Sequence, residues 1–171
     1  MEDAATLIPL DAVDPALVEE LLDQAFGADR KARTAYKIRD GLEPLPALSF
    51  ALLDEGEHLA GTIQAWPVAL TDPHARPFPL VMVGPVAVLP QQQDKGFGHA
   101  LMAALFGALD DAAPLPQVLI GDPEYYTRFG FSAQHTGGWR CPGPWDTERL
   151  MVRCANPEVL PREGMLGPWG R

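Results

Sequence analysis

The residues best suited to chemistry lie in one run, Leu89-Pro90-Gln91-Gln92-Gln93-Asp94-Lys95-Gly96-Phe97-Gly98-His99-Ala100-Leu101-Met102. An apolar stretch ends there in a polar loop with two glycines, and an amphipathic helical pattern starts at once. A helix start leaves backbone N–H groups unpaired and carries partial positive charge. Glycines let an anionic group come close to the backbone. The segment is therefore a candidate anion site, to which Lys95 can add charge. It is not a P-loop, because no Gly-Lys-Ser/Thr follows at the required spacing. It is not a dinucleotide fingerprint either: Leu101 stands at the third glycine position, and no βαβ unit opens the chain. Taken alone, a glycine pair before a helix is better explained by a tight strand-to-helix turn.

Several elements must position this loop. Asp14-Pro15 opens a first helix, with Asp14 as N-cap and Pro15 at its first position. Leu17, Val18, Leu21, Leu22 and Phe26 follow at helical spacing, and Gly27 ends it. A second helical stretch runs from about Ala32 to Arg39, before Gly41. Leu48–Leu53 and His58–Val68 read as strands of a hairpin around the turn Asp54-Glu55-Gly56-Glu57. The most apolar strand, Phe78–Leu89, reads as central and buried on both faces. Pro85 within it marks a bulge or a place where pairing stops. The helix behind the candidate loop spans about Gly96 to Asp110, with Leu101, Leu105 and Leu109 on one face. Beyond it come a strand at Gln117–Ile120, a short helix from Pro123 to Arg128 and a strand after Phe129-Gly130-Phe131. Glu148–Cys154 reads as a last strand, and the proline-containing tail from Asn156 to Arg171 is expected to wrap over the surface. The order is a mixed α+β pattern around one central sheet.

The 171 residues suit one compact domain, 1–171, and are 47% hydrophobic and 21% charged, as in a soluble globular protein. Met1-Glu2-Asp3 is acidic where a secretory signal starts with positive charge, and no apolar run has the length of a membrane span. A cytoplasmic protein without a membrane partner is expected. The net charge of -10, from 13 basic and 23 acidic residues, argues against nucleic-acid binding. It suits a cationic substrate such as an amine, and equally suits solubility alone. Cys141 and Cys154 form neither a disulfide framework nor a zinc pattern, so no metal is expected.

The run does not stand alone. Gln93-Asp94-Lys95-Gly96-Phe97-Gly98 resembles the acetyl-CoA signature of the GNAT acetyltransferase superfamily, Arg/Gln-x-x-Gly-x-Gly/Ala, and in particular its YhbS-like bacterial N-acetyltransferases. Gly84-Pro85-Val86-Ala87-Val88-Leu89-Pro90 before it is similar to that family's fourth strand. Downstream, Val118-Leu119-Ile120-Gly121-Asp122-Pro123-Glu124-Tyr125-Tyr126-Thr127-Arg128-Phe129-Gly130-Phe131 carries a second resemblance, centred on Tyr-x-Arg-Phe-Gly-Phe. The two motifs stand in the family's order and spacing, and the similarity weakens after about Thr136.

The resemblance implies an α+β GNAT fold, with a central mixed, mostly antiparallel sheet flanked by helices. It implies acetyl-CoA as co-substrate and transfer of its acetyl group to a small-molecule or peptide amine. The amides of Gln93, Asp94, Lys95, Gly96, Phe97, Gly98 and His99 would hold the pyrophosphate. Backbone groups of Val86, Ala87 and Val88 would pair with the pantetheine arm as an added strand. Tyr126 matches the tyrosine that protonates the departing thiolate in several members, and a phenol with pKa near 10 is able to do so. The alternatives are that Tyr126 only packs beside CoA, or that Tyr125 is the acid. Arg128 either contacts CoA phosphates or is a solvated arginine. The family's strand carboxylate that serves as general base has no counterpart in Phe78–Leu89. Glu55, Asp72 and His74 lie in loops able to reach an acceptor, and each also reads as a plain surface residue. A water chain is the other route for the proton. Trp66 reads as core packing or as lining of the acceptor pocket. The missing base keeps a non-catalytic acyl-CoA-binding module open as the second reading. The superfamily also admits homodimers.

Overall fold

The computed structural model describes residues 5–109 and 114–169. The acidic start Met1-Glu2-Asp3, the expected helix end at Asp110 and the tail end at Arg171 lie outside them. The strands are β1 (Thr6–Pro9), β2 (Phe50–Leu53), β3 (Leu59–Thr71), β4 (Pro77–Val88), β5 (Gln117–Ile120), β6 (Gly138–Arg140), β7 (Leu150–Arg153) and β8 (Glu163–Pro168). They make one mixed, mostly antiparallel sheet in the order β1-β2-β3-β4-β5-β7, with β8 paired to β3 and β6. The helices are α1 (Pro15–Phe26), α2 (Thr34–Ile38), α3 (Phe97–Ala108) and α4 (Pro123–Tyr126). Two compact units emerge from the packing, and β3 and β4 each lend one stretch to either unit.

The first unit takes in α1, β2, β3 up to Ala65, β4 from Gly84, and α3. Asp14 caps α1, its side chain accepting from the Ala16 amide at 3.0 Å, and Gly27 ends it at φ 96. Val18, Leu21 and Leu22 turn inward to Leu10, Ala51 and Ala87. Leu17, expected on that face, is 49% exposed, so the apolar stripe is narrower than the spacing suggests. Arg30 is buried and pairs with Glu19 at 2.5 Å and Asp23 at 2.9 Å, fastening the chain after α1 back onto it. In α3, Phe97, Leu101, Met102 and Leu105 are buried; Leu109 falls beyond the helix, as its C-cap. Gly61 keeps β3 close to its neighbours: a Cβ there would lie 2.9 Å from the Ala87 carbonyl and 3.1 Å from Leu101.

The second unit holds α2, β3 from Trp66, β4 up to Val83, and everything described after residue 113. Its core includes Trp139, Leu70, Leu80, Met82, Val118 and Leu150. Strand β4 pairs parallel with β5 at Val81↔Gln117 and Met82↔Val118, while β5 pairs on with β7 as far as Ile120↔Leu150. The β4 strand itself runs through Pro85, joined to Gly84 by a cis peptide. The expected second helix shrinks to Thr34–Ile38, preceded by a 3₁₀ turn at Arg30–Ala32.

The sequence after Asn156 differs most from expectation. It contains β8, which pairs with β3 from Val68↔Pro168 to Thr71↔Met165, and parallel with β6. Its glycines permit the approach: a Cβ on Gly164 would meet the Leu70 side chain at 2.7 Å and the Thr71 carbonyl at 2.8 Å. In a sequence those glycines and the flanking prolines signal a loop, which conceals the strand. The strand expected after Phe131 reduces to one bridge, Ser132↔Val152, with β6 following at Gly138–Arg140. Strand β1, not expected, pairs antiparallel with β2.

Candidate active site

In the first unit the candidate loop follows directly from β4. Pro90–Gln92 make a 3₁₀ turn, Gln93 caps it, and Gly96 becomes the N-cap of α3 at φ 80, ψ 12. Asp94 also takes a positive φ, 74°, which a short polar side chain tolerates better than most. Gly96 supplies no capping side chain, and a Cβ built on it would meet nothing within 4 Å. The Ala100 amide donates to the Gly96 carbonyl at 3.1 Å, so the amides of Phe97 and Gly98 precede the first intrahelical bond. Gln93, Asp94, Lys95, Gly96 and His99 are exposed, and Gly98 is half-buried. Phe97 is the exception: its ring is buried, so it anchors the helix start while its amide remains at the N-terminus.

Two glutamines hold this loop. Gln93 Nε2 donates to the Val88 carbonyl at 3.3 Å, and Gln92 Nε2 donates to Asp54 Oδ2 at 3.1 Å. The Leu89 amide donates to Ala60 of β3 at 2.9 Å. Strand alternation then turns the backbone groups of Ala87 towards β3 and those of Val86 and Val88 to the opposite edge. Ala87 is fully buried, whereas Val86 and Val88 are half-buried.

In the second unit, α4 follows β5 through Gly121 and Asp122. The Asp122 side chain caps the helix by accepting from the Glu124 amide at 2.9 Å. Tyr126 is half-buried, with ring centroids 4.9 Å from Tyr125, 6.1 Å from Phe131 and 6.4 Å from Phe129. Burial pushes its phenol up to about 12, helped by Tyr125 and Asp122 nearby. Its ring sits over Gly121: a Cβ there would lie 2.5 and 2.7 Å from ring carbons. Arg153 secures the turn that follows, donating to the Phe129 carbonyl at 3.0 Å and to Gln117 Oε1 at 2.7 Å. Gly121 and Arg153 are contributors that sequence reasoning missed. Gly121 lies within the second motif, but nothing in a sequence tells which ring a bare Cα accommodates. Tyr125 packs edge-on against Tyr126 at 4.9 Å and Phe129 at 5.3 Å, with the Arg128 guanidinium 4.9 Å from its ring centroid. Arg128 is exposed.

The loop candidates for a base are turn residues. Asp72 accepts from the amides of His74 at 2.9 Å and Arg76 at 3.0 Å, and from Arg76 Nε at 2.9 Å. The Arg76 amide, then the His74 amide and the Arg76 side chain, hold its carboxyl below the usual range. Glu55 and His74 are exposed. Trp66 is buried in the core, and the Arg39 guanidinium lies 4.0 Å from its ring centroid and 4.0 Å from that of Tyr36. Cys141 is buried, which pushes its thiol up to about 12; such a group is inert as a nucleophile. Among the described residues no three His, Cys, Asp or Glu side chains gather as a metal site. Among them, too, no helix is long and apolar enough to cross a membrane.

A capless, glycine-led helix start thus follows an apolar strand in the first motif, and a tyrosine packed over Gly121 follows β5 in the second. Residues 10–133 match the family described as acetyltransferase (GNAT) domain. The chain belongs to this GNAT acetyltransferase family. YhbS of Escherichia coli strain K12, described as an uncharacterized N-acetyltransferase, is 27% identical over 138 residues, 80% of this chain and 78% of that protein. Among solved structures, E. coli YhbS in complex with CoA superposes with a TM-score of 0.72 at 22% identity, covering 98% of this chain and 90% of that one. A GNAT family acetyltransferase from Brucella melitensis in complex with acetyl-CoA gives 0.62 at 24% identity, covering 94% and 92%. The fold is the GNAT fold.

Proposed function

We propose that the chain is a single-domain, cytoplasmic N-acetyltransferase that passes an acetyl group from acetyl-CoA to a primary amine by direct attack. The observation that carries this reading is the start of α3. Gly96 caps the helix without a side chain, with open space beside it and the Phe97 and Gly98 amides behind it. That arrangement suits a phosphate, which needs backbone donors, positive helix-end potential and no Cβ in the way. The CoA and acetyl-CoA complexes of the two similar proteins support the same choice of ligand.

In this reading the amides from Gln93 to His99 take the pyrophosphate, and the outward backbone groups of Val86 and the outward amide of Val88 pair with the pantetheine arm, while the Val88 carbonyl stays with Gln93 Nε2. A neutral amine attacks the acetyl carbonyl carbon, and a β4 amide stabilises the oxyanion. The C–S bond breaks with its electron pair on sulfur. Tyr126 donates its proton there, and the proton lost by the new amide nitrogen goes to water, from which the phenol is restored. A phenol near 12 is fully protonated at neutral pH. An alkyl thiol has a pKa near 8.5, so transfer from this phenol alone is uphill; Tyr126 acts first as a hydrogen-bond donor to the sulfur, and its proton passes over as the far more acidic new amide nitrogen releases its own. No strand carboxylate takes the amine proton, so the acceptor enters neutral or sheds it through water.

The occupied state of Asp72 and the lack of an acid in β4 favour the second reading, a non-catalytic acyl-CoA-binding module. Binding of acetyl-CoA without turnover of polyamines, amino-acid derivatives or peptides would support it. The deciding measurement is calorimetric titration with acetyl-CoA, beside a Gly96→Trp/Gly98→Trp variant. We expect binding by the wild type and at least a hundredfold loss in the variant. A wild type that does not bind removes the donor and the enzyme reading with it.

A further inference from the structure

Two hairpin turns of this chain are built alike and differ in one bond. In the β2–β3 turn, Asp54 Oδ1 accepts from the amides of Gly56 at 2.9 Å and His58 at 3.0 Å, and Glu57 takes φ 62. In the β3–β4 turn, Asp72 Oδ1 accepts from the amides of His74 and Arg76 at the same offsets, and Ala75 takes φ 64. The second oxygen separates them. Asp72 Oδ2 is met by Arg76 of its own turn, whereas Asp54 Oδ2 is met by Gln92, 38 residues away in the loop before α3.

The Gln92 amide cannot be reversed in this contact, since its oxygen would then face a carboxylate. The result is a buried Oε1 without a hydrogen-bond partner among the described residues. Such an unmet acceptor carries a desolvation cost that the fold must offset. A polar group held at that cost, on a loop otherwise exposed, fixes the loop to the hairpin immediately ahead of Gly96. We infer that the Gln92–Asp54 hydrogen bond is a positioning contact that sets the 93–99 loop for the acetyl-CoA pyrophosphate. The inference rests on the donor reading above. Asp54 and Gln92 touch no reacting atom in it; they act through the loop backbone. A preorganised loop binds tighter because less ordering is left for the ligand to impose.

The test is the acetyl-CoA dissociation constant and the melting temperature of wild type, Gln92→Ala, Asp54→Ala, the double variant and Asp72→Ala. Gln92→Ala changes no charge and should weaken binding about fivefold. Asp54→Ala should weaken it as much, although removing a negative charge near an anion site would by electrostatics alone tighten it. The double variant should be no worse than the weaker single, as for two ends of one contact. Asp72→Ala, which breaks the same kind of turn without a loop contact, should lower the melting temperature similarly and leave affinity unchanged. Wild-type affinity in Gln92→Ala, or an Asp72→Ala loss equal to that of Asp54→Ala, overturns the inference while leaving the donor reading intact. A wild type that does not bind acetyl-CoA overturns both.

Discussion

The donor loop and the tyrosine seat meet opposite physical demands. The loop at 93–96 is exposed, led by glycine into α3 and fixed by two glutamine hydrogen bonds; its proposed working groups are backbone amides. The Tyr126 seat is aromatic, floored by Gly121 and closed by Arg153; its proposed working group is one hydroxyl. An anion with its own charge needs donors that are open and already aligned, so burial there would only cost desolvation. A proton donor that must stay protonated gains from burial, which here carries the phenol to about 12. Glycine serves both for different reasons. At Gly96 it provides a positive φ and an open flank, and at Gly121 it provides room for a ring.

The contrast breaks most sharply at the hydroxyl. Tyr126→Phe keeps the ring and removes the donor, so kcat on the best amine of a panel should fall about a hundredfold, the low end for a general acid. Acetyl-CoA affinity should stay within about twofold, because the proposed reading places affinity in the other region. Full turnover with weakened affinity would place Tyr126 in binding instead. Gly121→Ala probes the same seat from below. Its new methyl must displace the Tyr126 ring, an overpacking that costs about 1–3 kcal/mol of stability. We expect a lower melting temperature and about a tenfold loss of kcat, with no added loss when combined with Tyr126→Phe. A stable, fully active Gly121→Ala protein would show that the ring's placement is immaterial.

How legible each region was follows from the same contrast. The loop could be read because glycines, a preceding apolar strand and a helical pattern are all local signals. The fold class was legible for the same reason, together with the two motifs. Tyr126 is singled out through resemblance alone, and its seat was not legible: Arg153 and Gln117 are 36 residues apart, and β5–β7 pairing brings them together. Asp54 was read as part of a turn, which it is, while its bond to Gln92 spans 38 residues. Strand β8 was hidden because Gly164, Gly167 and Pro168 carry loop propensities that pairing with β3 overrides. Patterning of neighbours was visible in the chain; pairing across it was not.

The smallest effect is the most specific to the tyrosine seat. An unfolded tyrosine ionises near 10, while folded Tyr126 holds its proton to about 12. The unfolded state therefore releases this proton first as pH rises, and folding loses support between those two values; below pH 9 the group has no effect. The melting temperature of wild type should thus fall more steeply from pH 10 to 12 than that of Tyr126→Phe, and the two curves should run parallel from pH 6 to 9. Cys141, also raised to about 12 from an ordinary 9, acts in the same direction but equally in both proteins, so the difference between them isolates Tyr126. The same phenol should leave kcat without a falling limb up to about pH 10. Parallel melting curves throughout, or a falling limb near pH 9 that disappears in Tyr126→Phe, would mean that the seat does not withhold the proton. The two regions would then differ in shape but not in electrostatics.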